Sequence, residues 1–418
     1  MTGRHPGPGR QRTSEDVTTS TTQRTPAPAA IVGVRKIFAA ETGNYFLLLG
    51  TTLFLVVFGL VMVLSSSSVS SYTETDDFFS GFMRQGLFAI IGVPIMLLAS
   101  RAPASFWKKW AGAAIFGSVI LQILVVATPL GVSRGGNTNW LALGSFTVQP
   151  SEFTKVSLVI WIASVLSTRM DRLKDVRQMA WPIGPVAGAA MILVLTGGDL
   201  GTVTIIAALV LGSMYLAGVS LRLLAIPVGL AAVFGPIAAF SRASRSDRID
   251  AWLSGCSSPN AYVDTCWQTV HGWWALAAGG IFGSGLGNSK AKWLWLPEAS
   301  SDFIFAIIGE ELGLLGAITV LLLFIVLAFA FVRIIRANSD PFARIAVGGI
   351  LIWIVSQAFV NIAVVLGVLP VLGVPLPLMS SGGSALTTTL LAIGIALSFA
   401  RNSSSATLAP RASPGPPR

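Results

Sequence analysis

The chain has 418 residues, of which 53% are hydrophobic and only 11% charged, with a mean hydropathy of +0.74. A soluble domain carries about 25% charged residues, so a water-soluble globular enzyme is excluded and a chain solvated by lipid is implied. The net charge of +10 does not point to nucleic acid, because the basic residues are scattered between apolar stretches, where they read as topology signals.

Residues 1–43 are rich in Thr, Pro, Gly and Arg without apolar periodicity and predict a disordered tail. No cleavable signal peptide is visible; the first apolar run starts near Tyr45 and is long enough to span. Ten apolar stretches follow, near 44–65, 84–101, 110–130, 153–168, 179–196, 201–218, 222–241, 303–333, 343–367 and 382–400. Crossing roughly 30 Å of hydrocarbon takes about 20 apolar residues in a helix. The stretch 303–333 exceeds one crossing, and the fifth and sixth stretches are joined only by Gly197-Gly198-Asp199-Leu200. Residues 401–418 return to the character of a disordered tail. The expected fold class is all-α: a polytopic membrane domain over 44–400 with about ten transmembrane helices, flanked by the tails 1–43 and 401–418.

Orientation follows from Lys and Arg. With both termini cytoplasmic, the inner segments hold 20 of the 28 basic residues. Five of the others, Arg242, Arg245, Arg248, Lys290 and Lys292, lie in the long loop 242–302, where the positive-inside rule is weak. The outer loops are then 66–83, 131–152, 197–200, 242–302 and 368–381. The last four collect nearly every polar or Gly/Pro-rich cluster that spanning alone does not explain.

Along those outer loops, Gln149-Pro150-Ser151-Glu152-Phe153-Thr154-Lys155 opens the fourth span. Glu152 and Lys155 are three apart and can pair on a helix; alternatively Lys155 neutralises an anionic head group such as a diphosphate. Asp199 is placed to cap the sixth span. The loop 242–302 is too long for a connector. It holds the charge-rich run around Asp247-Arg248-Ile249-Asp250 and a Trp-rich stretch suited to lying in the membrane interface. Its glycines are no nucleotide fingerprint, because no βαβ unit surrounds them. His271 alone reads as structural. Cys256 and Cys266 fall in this loop, where thiols oxidise; their ten-residue separation suits a disulfide. No CxxC pair or His cluster reads as a metal site.

Asp302 falls where the eighth span begins. It can cap that helix, or stand at the lipid–water boundary as a general base. Glu310 and Glu311 lie inside the same span, where a carboxylate needs a cavity or a partner. At ~100° per residue at most one of them shares the face of Asp302, and the other is expected to pair within the bundle. The run from Leu369 to Ser384 contains Pro370, Pro375 and Pro377, which forbid regular helix. Irregular backbone at membrane depth survives only inside protein or along a cavity, so this segment is expected to line a pocket.

QPSEFTK, DLGT, GGIFGSGLGNS, LPEASSDFIFAIIGEELG and GVLPVLGVPLPLMSSGGS occur in this order over residues 45–400. In order and spacing they resemble the SEDS family (shape, elongation, division and sporulation), the group of FtsW and RodA. HGWWALAAGGIFGSGLGNSKAKW looks most like the actinobacterial FtsW branch. The resemblance implies an enzyme of the bacterial cell membrane, at the division septum, that polymerises lipid II into peptidoglycan strands. It implies Asp302 as the catalytic residue, an inverting single displacement, and a class B penicillin-binding protein transpeptidase and other division proteins as partners. Lys155, Arg248 and Lys292 become candidates to offset diphosphate charge. Gln149, Glu152, Glu298 and Ser380 join them as substrate contacts, and Asp199, Glu310 and Glu311 take supporting roles. No cofactor is called for; a divalent cation at the diphosphate is left open.

The chain departs from the commoner pattern at Asn139, where many members have Arg, and at Gly197-Gly198, Ser300-Ser301 and Ser381. A lipid II flippase and a non-catalytic division scaffold are the competing readings. A flippase needs polar groups along the whole transverse path, whereas here they cluster outward.

Overall fold

The computed structural model describes residues 2–3, 43–134, 136–144, 146–173, 176–257 and 266–407. Its contacts divide the chain into Met1–Ala40 and Glu41–Arg418, and the fold below is that of the second unit. Apart from Thr2, Gly3 and Gly43, the tail expected at 1–43 lies outside the described residues. The tail expected from residue 401 is helical as far as Thr407 and lies outside them beyond it.

Three helices come first: α1 (Gly43–Thr75), α2 (Ser80–Ala99) and α3 (Ala104–Ala127). A small antiparallel sheet follows, β1 (Gly131–Arg134), β2 (Asn137–Leu143) and β3 (Phe146–Val148), in which Leu141 faces Gly131 on one side and Val148 on the other. Next are α4 (Pro150–Ser167), a 3-10 turn at Met170–Arg172, α5 (Val176–Thr196), α6 (Leu200–Leu216) and α7 (Leu221–Ala239). The long loop carries two helices of its own, α8 (Ala243–Leu253) and α9 (Trp267–Gly279). The chain closes with α10 (Ile304–Ala337), α11 (Pro341–Val365) and α12 (Gly383–Thr407).

Ten of these helices stand where ten spans were expected, and the protein is a polytopic α-helical membrane protein. Among the described residues seven helices are long and apolar enough to cross a membrane: α1, α2, α3, α7, α10, α11 and α12. α5 and α6 hold shorter apolar stretches, Trp181–Thr196 and Leu200–Leu216. Along their spanning windows α11 is 67% and α12 78% buried, against 6% for α7. The core therefore sits around α4, α11 and α12, and α7 is peripheral. Packing pairs α12 with α2, α3 with α4, α11 with α6 and α9 with α10.

Local sequence sets the starts of the helices that enter the core. Pro150 opens α4 and Pro341 opens α11, at positions where a missing N–H costs nothing. Asp340 caps α11 through Phe342 N at 3.1 Å.

The long helix α10 is broken at Gly313, whose φ of 67° and ψ of −165° are open to glycine and strained for any other residue. The break strips helical partners from both of its sides, and the Gly-rich run after α9 supplies them. Ser284 N and Gly285 N donate to the carbonyls of Glu310 and Glu311 at 2.9 and 3.0 Å. Leu314 N and Leu315 N donate to the carbonyls of Gly280 and Ile281 at 2.9 and 3.3 Å. Every backbone group freed at these positions is thus paired inside protein, as low-dielectric surroundings demand.

Candidate functional site

Asp302 sits one residue before Phe303, the N-cap of α10, and its side chain makes no capping bond. The bland role open to it from sequence is therefore not the one it takes. Among the described residues its carboxylate accepts no hydrogen bond and forms no ion pair, and the residue is half-buried. Burial raises its pKa to about 7, the charges of Glu298 and Asp199 add to the rise, and Arg248 opposes it. A carboxylate of that pKa at neutral pH is poised to exchange a proton.

Its backbone, by contrast, is tied down. Asn361 of α11 donates from Nδ2 to the Asp302 carbonyl and to the Val374 carbonyl, both at 2.7 Å. The Ser380 hydroxyl donates to Ser301 O at 2.6 Å, and Ser381 N donates to Ser300 O at 2.8 Å. Phe303 N donates to Glu298 O at 3.0 Å. The proline-rich segment 369–381 is held in turn by Gln357 on Pro375 O (2.9 Å) and by Gln85 of α2 on Ser380 O (3.0 Å). Gly373, at φ 68°, faces the carboxylate: a Cβ there would lie 3.6 Å from Asp302 Oδ2. Residues 300–302 are thus clamped between α2, α11 and this segment. Gln85 and Asn361 are absent from the sequence reading; a polar amide inside an apolar span is the signal that points to them.

Most of the expected substrate contacts are engaged by other protein groups in this structure. Lys155, 1% exposed, pairs with Glu152 at 2.8 Å, donates to Gln357 Oε1 at 2.9 Å and lies over the Trp353 ring. Those partners offset the cost of burying the ammonium. Lys292 Nζ donates to Gly287 O at 2.5 Å and pairs with Glu311 at 3.5 Å. The Ser380 hydroxyl is taken up by Ser301 O. Gln149 donates to Asp199 Oδ2 at 3.2 Å. Of the seven expected contacts, Arg248 and Glu298 remain open. Glu298 is exposed and bound only by the neighbouring Ser301 hydroxyl, and Arg248 has no hydrogen bond or ion pair among the described residues.

Asp199 caps α6, accepting from Thr202 N and from the Thr202 hydroxyl, each at 2.7 Å. Burial raises its pKa, while Thr202 and Lys155 act against the rise. Arg245 Nη2 donates to Gly198 O at 2.7 Å and ties the long loop to this turn. Neither Glu310 nor Glu311 turns to Asp302. Glu310 accepts from the Ser289 hydroxyl and from Lys290 N (2.8 Å). Glu311 accepts from the Ser65 hydroxyl (2.6 Å) and Ser289 N (3.2 Å). Both fasten the loop to the kinked helix. Cys256 and Cys266 form a disulfide. His271 is buried against Trp267, whose carbonyl lies 2.7 Å from Nδ1, and stacks on Trp295. Among the described residues no three His, Cys, Asp or Glu side chains converge as a metal cage.

The arrangement is a clamped backbone carrying one unpartnered carboxylate, with an open Glu and an open Arg whose charges reach it. A probable peptidoglycan glycosyltransferase FtsW of Mycobacterium tuberculosis is 37% identical over 369 residues, 88% of this chain and 70% of that protein. Its counterpart in Geobacter sp. is 35% identical over 356 residues, 85% of this chain and 96% of that protein. A chain of a peptidoglycan synthase complex that coordinates polymerization and crosslinking superposes with a TM-score of 0.69 at 23% identity, covering 85% of this chain and 97% of that one. The FtsW/RodA/SpoVE family, described as cell cycle proteins, matches residues 45–405, and the chain belongs to it.

Proposed function

We propose that this protein is a peptidoglycan glycosyltransferase that polymerises lipid II, with Asp302 as general base. The carrying observation is the free Asp302 carboxylate, with a pKa near 7, on a backbone fixed by Asn361 and Ser380. The names of the FtsW relatives at 35–37% identity support the same reaction class. In the step itself the acceptor sugar 4-hydroxyl oxygen attacks the anomeric carbon of the lipid-linked donor. The C1–O bond to the diphosphate breaks, the diphosphate departs with the bonding pair, and Asp302 takes the hydroxyl proton. A single displacement inverts the anomeric centre. Fixing the base in place spares reorganisation during the reaction. A divalent cation on the diphosphate would need only one or two protein carboxylates besides phosphate oxygens, and Glu298, exposed and close enough for its charge to reach Asp302, would supply one.

The partner we propose is a class B penicillin-binding protein transpeptidase, in keeping with the crosslinking complex among the structural neighbours. The site of action proposed is the outer face of the cell membrane at the division septum, alongside other division proteins. The test is reconstitution of the purified protein with lipid II, with and without that partner. Glycan chains are expected from the wild type and none from Asp302→Ala at equal melting temperature. Chains from the variant would remove Asp302 from its role. A wild type that moves lipid II across vesicles yet makes no polymer with its partner present would support transport instead.

A further inference from the structure

Four serines meet where residues 300–302 are clamped, and two of them leave their hydroxyls free. The Ser380 hydroxyl donates to Ser301 O, and the Ser301 hydroxyl donates to the Glu298 carboxylate. Ser300 and Ser381 are both half-buried, and among the described residues neither side chain has a hydrogen-bond partner. Ser381 N donates to Ser300 O at 2.8 Å, so the two residues lie side by side. Ser300 stands two positions before Asp302.

The way to the Asp302 carboxylate is open beside them. Gly373 is exposed, and a Cβ built on it would meet nothing within 4 Å except Asp302 Oδ2, at 3.6 Å. No side chain of this residue stands over the carboxylate, which leaves room for a ring to rest on the glycine with a hydroxyl against the acid.

The chemistry of this surface selects its ligand. A serine hydroxyl both donates and accepts, and it carries no charge. It therefore matches the hydroxyl and amide groups of a sugar. An anion fits poorly, because the charges of Glu298 and Asp199 already bear on Asp302 and would repel another negative group.

We propose that Ser300 and Ser381 form the subsite for the acceptor sugar, holding its hydroxyl and acetamido groups while the nucleophilic hydroxyl faces Asp302. Neither serine is among the contacts that the family resemblance implies. The assignment also separates the acceptor from the diphosphate end of the donor. That the ligand is an acceptor rests on the glycosyltransferase reading; that a neutral sugar binds beside Asp302 does not.

The test uses the full chain in nanodiscs and two probes: methyl N-acetyl-β-glucosaminide, a neutral sugar with a free 4-hydroxyl, and inorganic diphosphate. Sugar binding is followed by saturation-transfer NMR and diphosphate binding by phosphorus NMR. Ser300→Ala and Ser381→Ala are each expected to weaken the sugar about fivefold, the worth of one neutral hydrogen bond, and to leave diphosphate binding unchanged. Ser300→Thr and Ser381→Thr keep a hydroxyl and should bind the sugar nearly as the wild type does, which separates loss of the hydroxyl from a change of shape. In lipid II polymerisation the alanine variants should raise KM and leave kcat and its pH dependence in place, as removal of a uniform binding contact does. Sugar binding unchanged in both alanine variants overturns the inference, as does a wild type that fails to bind the sugar. Weakening of diphosphate in place of the sugar also overturns it, by assigning the serines to the leaving group. Polymer made without any effect of either serine sinks this inference alone. Sugar held through these serines by a protein that makes no polymer with its transpeptidase partner present sinks the glycosyltransferase reading alone.

Discussion

Asp302 is held in a place that disfavours its own ionised form. Its folded pKa of about 7 lies above the ordinary carboxylate value of 3.8. Below about pH 4 both folded and unfolded chains carry the proton. Between there and about pH 7 only the folded chain does, so stability falls as pH rises across that window. Asp302→Asn, which is never charged, is therefore expected to melt above the wild type at pH 8 and level with it near pH 4. In the same variant polymerisation should drop by about 100-fold or more, and in the wild type the rate should climb with pH and level off above about 7. A wild-type rate flat from pH 5 to 9 would count against a titrating base. Asn361 tests the clamp instead of the chemistry. Asn361→Leu leaves the Asp302 and Val374 carbonyls without their donor, at about 1–3 kcal/mol each, and should lower both melting temperature and turnover. Asp302 stood out in sequence because it opens the eighth span, where a carboxylate can cap the helix or act as a base, and because the resemblance implies it. Asn361 did not, because nothing in a run such as Phe359-Val360-Asn361-Ile362 says which carbonyls its amide will meet.

At the level of elements, α10 shows how a break becomes a joint. The stretch reads as one helix too long for one crossing, and its glycines alone do not say where it bends. Gly313 is the bend because the carbonyls of Gly280 and Ile281 arrive there to take up the freed N–H groups of Leu314 and Leu315. Gly313→Ala puts a Cβ against Ile281 O and Gly283 N in a backbone region closed to alanine. It should cost about 1–3 kcal/mol, read as a lower melting temperature. Leu314→Ala, at an exposed position beside it, serves as the control and should melt close to the wild type. The three-stranded sheet escaped sequence reading for a related reason. Strands of four, seven and three residues carry too little alternation to declare themselves, and their pairing is decided by register across two turns.

For the whole molecule, the orientation with both termini inside makes its own prediction. Lys290→Cys should react with a membrane-impermeant maleimide on intact cells, and Arg336→Cys only after permeabilisation; the reverse pattern would invert the topology. The native cysteines should stay silent in both until a reductant opens the Cys256–Cys266 disulfide. Composition and the run of apolar stretches were sufficient for the class and the ten helices. They suffice because lipid imposes one requirement, a satisfied backbone behind about 20 apolar side chains, and that requirement is local in sequence. Which polar residues act was not local. Lys155, Lys292 and Ser380 look as available in the sequence as Arg248, yet three of these four are spent on partners 19 to 202 positions away: Glu311, Gln357 and the carbonyl of Ser301. Only the tertiary structure could decide it, because a buried charge or hydroxyl takes whichever partner packing delivers, and among the described residues that leaves the side chains of Asp302 and Arg248 without a hydrogen bond or ion pair.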